Sequence, residues 1–157
     1  MLVGPSGCGK SSWARQHFRD TQIVSSDECR RLVSDDETNQ QATPQAFEVF
    51  YALIRGRLSL GRLTVADATN LHFRSRETLR LLAAEYSRPL VAVVFDVPLE
   101  ACYEQAQARS RVVASGVIQR QHALFQQVKL ELEGEGYAGI VHLRPEAISG
   151  RLPESAR

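Results

Sequence analysis

Apolar residues along this chain fall into short runs, separated by stretches in which they recur every three or four positions. The runs are Met1-Leu2-Val3, Ile23-Val24-Ser25-Ser26, Leu63-Thr64-Val65-Ala66, Leu90 to Phe95 and Ile140-Val141-His142-Leu143. Their length and β-branched content predict strands, and the unbroken run from Leu90 predicts one buried on both faces. Ser11 to Arg19, Arg74 to Tyr86 and Leu99 to Arg109 read as helices, with Pro89 stopping the second. Thr43-Pro44 supplies an N-cap followed by a proline at the first helical position. Phe47, Phe50, Tyr51, Ile54 and Leu58 follow at helical spacing, and Gly61 closes that helix. Their stripe predicts core, not an aromatic surface for stacking bases. Val117, Ile118, Leu124, Phe125, Val128 and Leu132 mark a further helix, while Ser34 to Ala42 is polar and reads as a loop.

Strand and helix alternate, which predicts an α/β three-layer sandwich: a central parallel sheet of about five strands with helices on both faces. Residues 1–143 read as one domain, and residues 144–157, with Pro145, Gly150 and Pro153, as a polar tail or linker. In open α/β sheets, ligands sit at the carboxyl ends of the strands. The segment after Val3, Asp27 after the second strand and Asp67 after the third are therefore expected to converge.

The segment after Val3 is Gly4-Pro5-Ser6-Gly7-Cys8-Gly9-Lys10-Ser11, a G-x-x-x-x-G-K-S pattern. Glycines at this spacing let the backbone curl and turn several N–H groups inward around a phosphate. Lysine then reaches the β- and γ-phosphate oxygens, serine binds Mg²⁺, and the following helix adds its positive end. Composition narrows the rest. With 157 residues and a net charge of +1, nucleic-acid binding is not advertised by bulk charge, and any such site must be local. Cys8, Cys29 and Cys102 lack metal-ligand spacing and fit a reducing cytoplasm. Cys8 reads as a small residue that fits the loop. No signal peptide or membrane-length apolar run is visible, and the four histidines are too scattered to mark a metal site.

Three constellations carry candidate chemistry. In Ser25-Ser26-Asp27-Glu28-Cys29-Arg30, Asp27 can take the proton of an alcohol acceptor while Arg30, on the same side of a helical turn, holds an acceptor anion. The competing reading is a helix cap with a surface ion pair. Asp67 ends an apolar strand, where a carboxylate holds Mg²⁺ directly or through water; the competing reading is again an N-cap. Arg109-Ser110-Arg111, with Arg120 beyond, is a basic segment able to close over transferring phosphates, or a solvated charge run. Arg76 and Arg80 share a helix face that reads either as solvated or as a nucleic-acid backbone contact.

Taken together, G-P-S-G-C-G-K-S, S-S-D-E-C-R-R-L-V-S-D-D-E-T-N-Q-Q-A-T, L-T-V-A-D-A-T-N followed by Arg76, and F-D-V-P before Cys102 resemble the kinase domain of bacterial polynucleotide kinase-phosphatases. The resemblance runs from Leu2 to about Leu143. It implies a P-loop kinase with a lid, moving the γ-phosphate of ATP or another NTP, with Mg²⁺, to the 5′-OH end of RNA or DNA during end repair. Gly4, Pro5, Ser6, Gly7, Cys8, Gly9, Lys10, Ser11 and Ser12 would cradle the donor, with Arg111 and Arg120 as further donor contacts. Ser11 and Asp67 would serve the metal, Lys10, Asp27, Arg30 and Arg109 the chemistry, and Arg30 and Arg76 the nucleic acid. Gln105-Ala106 departs from the family's Arg-Asn pair, so that one lid contact to the nucleotide is expected either to be missing or to be supplied by Arg111. Such kinases continue into phosphatase and ligase domains, so the chain is expected to be an excised domain or a stand-alone kinase. The alternatives are a P-loop kinase of a small alcohol and a non-catalytic NTP-binding module.

Overall fold

Parallel strands and their crossover helices set the architecture in the computed structural model, which describes residues 1–107 and 114–148. Strands β1 (Leu2–Val3), β2 (Ile23–Ser25), β3 (Val65–Asp67), β4 (Val91–Phe95) and β5 (Gly139–Leu143) alternate with helices. The helices are α1 (Lys10–His17), α2 (Ser26–Ser34), α3 (Thr43–Ser59), α4 (Phe73–Glu85), α5 (Leu99–Gln107), α6 (Ser115–Glu131) and the short α7 (Pro145–Ile148). Backbone pairing gives two parallel ladders, β2–β3 and β1–β4–β5, with Ser25 opposite Asp67 and Leu2 opposite Val93. β1 has only two residues and does not pair directly with β3. The seam between the ladders is closed just beyond the strand ends, where Gly4 N–H donates to Thr69 O (3.1 Å) and Asn70 Nδ2 donates to Leu2 O (2.7 Å). The resulting order is β2-β3-β1-β4-β5, with the connections leaving β1 and β3 in opposite directions. A crevice opens at their carboxyl ends.

Alternate strand residues face opposite layers. Val3, Ala92 and Val94 join Phe50, Ile54, Leu79, Leu82, Phe125 and Val128 on one face. Leu2 and Phe95 join Trp13, Val97, Cys102 and Ile118 on the other. This double burial matches the unbroken apolar run of β4, although Val91 at its start is exposed. At the end of α3, Gly61 N–H donates to Leu58 O and Arg62 N–H to Arg57 O, the pair of bonds expected of a glycine-closed helix. Within the segment read as a polar tail, α7 turns Ile148 onto the layer around Trp13 and Phe95. No helix among the described residues is long and apolar enough to cross a membrane.

Arg76 overturns one expectation. Its side chain is 0% exposed, so it does not contact nucleic acid. The guanidinium donates to both Glu135 oxygens, to Glu131 Oε2 (2.8 Å) and to the Leu71 and Asn70 carbonyls. Tyr137 also donates to Glu135 (2.6 Å). Burial alone would raise the Glu135 pKa, but the bonds from Arg76 and Tyr137 outweigh it and hold the carboxyl below its ordinary range. A buried charge survives only when it is paired and hydrogen-bonded; here the pairing ties α4 to the end of α6, and the carbonyl bonds tie it to the turn after β3.

Candidate active site

At the crevice the chain leaves β1 and curls tightly. Gly7 lies at φ +82°, and a Cβ there would fall 2.3 Å from Cys102 O on α5. Glycine is therefore required both by the dihedral and by the close approach of α5. Gly9, at φ +88°, caps α1 without a side-chain bond, and no acidic residue occupies the helix's first turn. The N–H groups at that end are left for an anion.

Lys10 lies folded along this loop, nearly buried. Its Nζ donates to Gly4 O (2.9 Å), Pro5 O (2.7 Å) and Cys8 Sγ (3.5 Å). Gly4, Pro5 and Cys8, expected among the donor-cradling residues, do not line the cleft; they are buried beneath it and hold the lysine. Ser6, Gly7, Gly9, Lys10, Ser11 and Ser12 do line it.

Opposite, the Ser11 hydroxyl hydrogen-bonds the Asp67 carboxylate. Burial raises the Asp67 pKa, and the negative charge of Asp27 adds to the rise, against the Ser11 bond and the Lys10 charge. Asp67 Oδ2 is buried without a hydrogen-bond partner among the described residues. A hard cation satisfies such an oxygen. Mg²⁺ takes one or two protein oxygens and completes its shell with water and phosphate, so Ser11 and Asp67 fit it. The turn after β3 holds this carboxylate in place, with Asn70 at φ +50° sending its Nδ2 to Leu2 O.

Asp27 sits differently from expectation. It belongs to the first turn of α2, not to the end of β2, because the Ser25 side chain accepts from Glu28 N–H and starts the helix two residues earlier. Helical spacing then brings Arg30 beside it, with Nη1 2.5 Å from Asp27 Oδ1 and 3.2 Å from Glu37 O. The Arg30 side chain is 6% exposed, that of Asp27 50%. Arg30 Nε is buried with no partner among the described residues.

Lys10, Ser11, Asp27, Arg30 and Asp67 line one cleft of about 830 Å³. Arg120 does not. It is exposed on α6, while Val117 and Gln121, one turn apart on the same helix, face inward. Position 120 lies about 100° round from position 121, which turns its side chain off the cleft. Arg109 and Arg111 lie outside the described residues. Three contributors escaped the sequence reading. Gln121 Oε1 accepts from Ser6 N–H (2.8 Å). Arg15 follows Ser11 by one helical turn, a spacing that would have found it. Phe47 was hidden within a stripe that reads as core. At the Gln105-Ala106 departure, Ala106 lines the cleft against Gly7 and brings no charge.

A family model for an AAA domain, AAA_33, matches residues 1–128. The chain belongs to the AAA_33 family. Its fold is the α/β P-loop fold, with parallel strands and flanking helices, and it is a nucleotide-binding domain of the P-loop kinase and NTPase type. Such domains bind an NTP, typically with Mg²⁺. The match spans the loop, Asp27, Asp67 and most of α6, so the whole described cleft falls within it. A comparison with curated proteins returned no match.

Proposed function

We propose that this AAA_33 domain transfers the γ-phosphoryl group of ATP, or another NTP, to the 5′-hydroxyl of an RNA or DNA end. The observation that carries the reading is the Asp27–Arg30 pair, set in the same cleft as Lys10, Ser11 and Asp67. A pure hydrolase has no need of an acceptor-side arginine with a spare donor. Asp27, half-exposed and aimed at the cleft, accepts the proton that the 5′-oxygen loses as it bonds to phosphorus. Arg30, which lines the cleft and whose Nε–H has no partner among the described residues, grips the first phosphate of the acceptor strand, 3′ of the reacting nucleotide. Lys10 and the loop N–H groups stabilise charge on the donor as the bond to the leaving NDP breaks, with Arg109 assigned as a further charge-stabilising group. Held by Ser11 and Asp67, Mg²⁺ would supply positive charge to the donor oxygens.

The test offers γ-labelled ATP and Mg²⁺ with 5′-OH oligoribonucleotides, 5′-OH oligodeoxyribonucleotides, free sugars and nucleosides in parallel. Label is expected at the oligonucleotide 5′ ends. Label on a sugar or nucleoside alone would overturn the reading in favour of a small-alcohol kinase. ATP binding with slow, acceptor-independent hydrolysis would overturn it in favour of an NTP-binding module.

A further inference from the structure

Phe47 is the one aromatic residue among the described residues that line the cleft. The sequence placed it in the core, and it does pack there, with ring centroids 5.4 Å from Phe50 and 5.6 Å from Tyr51. Yet it is only half-buried, and it borders the same space as Arg30 and Gln40. Its two aromatic neighbours fix the ring, so the surface it offers is set before any ligand arrives. Of the aliphatic lining residues, Ala68 follows β3, and Ala106, Ala114 and Val117 come from α5, the residue preceding α6, and α6. Phe47 instead stands on the wall built by the single stretch from Ser25 to Phe47, together with Asp27 and Arg30.

A bare alcohol asks for hydrogen-bonding groups, and that wall already has them. A fixed apolar ring adds something only for a ligand that carries a flat, apolar face of its own. We infer that this wall contains a nucleobase subsite, in which the base of the 5′-terminal nucleotide stacks on Phe47 while its 5′-OH meets Asp27. The inference rests on the end-kinase reading above and extends it. Stacking is tolerant of sequence, because every base has a π-face, so the subsite selects for the presence of a base and not for its identity.

The experiment compares two 5′-OH oligonucleotides that are identical except that one carries a tetrahydrofuran abasic residue at its 5′ end. Wild-type protein is expected to show an acceptor KM about ten-fold or more lower for the base-bearing strand. Phe47→Leu keeps the apolar packing on Phe50, so its melting temperature should stay near wild type while the KM ratio collapses toward one. Phe47→Trp should preserve the ratio. If Phe47→Leu keeps the wild-type ratio, or if wild type does not distinguish the strands, the subsite is wrong and the end-kinase reading stands. Absence of transfer to either strand overturns the end-kinase reading, and the subsite with it.

Discussion

Two buried arginines in this domain hold carboxylates, and they differ in what is left over. Arg76 is itself fully sealed, with every guanidinium nitrogen bonded: to the buried Glu135, to the half-exposed Glu131 and to two backbone carbonyls. Arg30 is almost as deep, but its partner Asp27 is half in the open cleft and its Nε lacks a partner among the described residues. Equal burial therefore does not mean equal purpose. A completed guanidinium is mortar between elements. One with a spare donor beside an exposed carboxylate is arranged for something that arrives later.

The contrast breaks most sharply under substitution. Arg76→Met leaves Glu135 buried without its main partner, together with unsatisfied Leu71 and Asn70 carbonyls. The expected loss is about 3–5 kcal/mol of folding stability, read as a lowered denaturant midpoint. Arg30→Ala leaves a carboxylate that water can reach but also removes a buried side chain, so its stability cost should be smaller, about 1–2 kcal/mol. The expected effect is instead on turnover: an acceptor KM raised about 10–100-fold, with the KM for ATP within about two-fold of wild type. Equal effects on both substrates would erase the distinction drawn between the arginines.

A smaller effect should appear in pH. Glu135, facing Arg76, Glu131, Tyr137 and the more distant charge of Arg80, has a folded pKa below the ordinary 4.5. A carboxyl depressed by folding stabilises above its unfolded pKa, and that contribution is lost as pH falls through the folded value. Wild-type stability should therefore decline below about pH 4.5 more steeply than that of Glu135→Gln, measured by urea titration at each pH. Parallel pH profiles would show that folding does not lower the Glu135 pKa.

The same pair of arginines shows how far the sequence reaches. The phosphate loop is legible because its requirements are local: glycines for curvature, then lysine and serine at fixed offsets. Strand ends are legible from apolar runs, which places Asp67. The Asp27–Arg30 pair follows from helical spacing, although Ser25 competes as a cap and moves the helix start earlier than a strand-end aspartate implies. Arg76 was not legible, because its partner Glu135 lies 59 residues away and no local pattern marks the pairing. Phe47 was not legible either, since a helical stripe does not say which of its members stands at the edge of the core. Arg120 failed through phase, since a single position along α6 separates the cleft from solvent.

The central claim is that Asp27 serves an acceptor in the cleft where Lys10 serves the donor. Single-turnover transfer from γ-labelled ATP to a 5′-OH oligonucleotide, measured with Asp27→Ala beside ATP affinity, tests it most directly. The account predicts a rate reduced about 10²–10⁴-fold with ATP binding unchanged. Near-normal transfer, or a loss that only tracks weakened ATP binding, would contradict it.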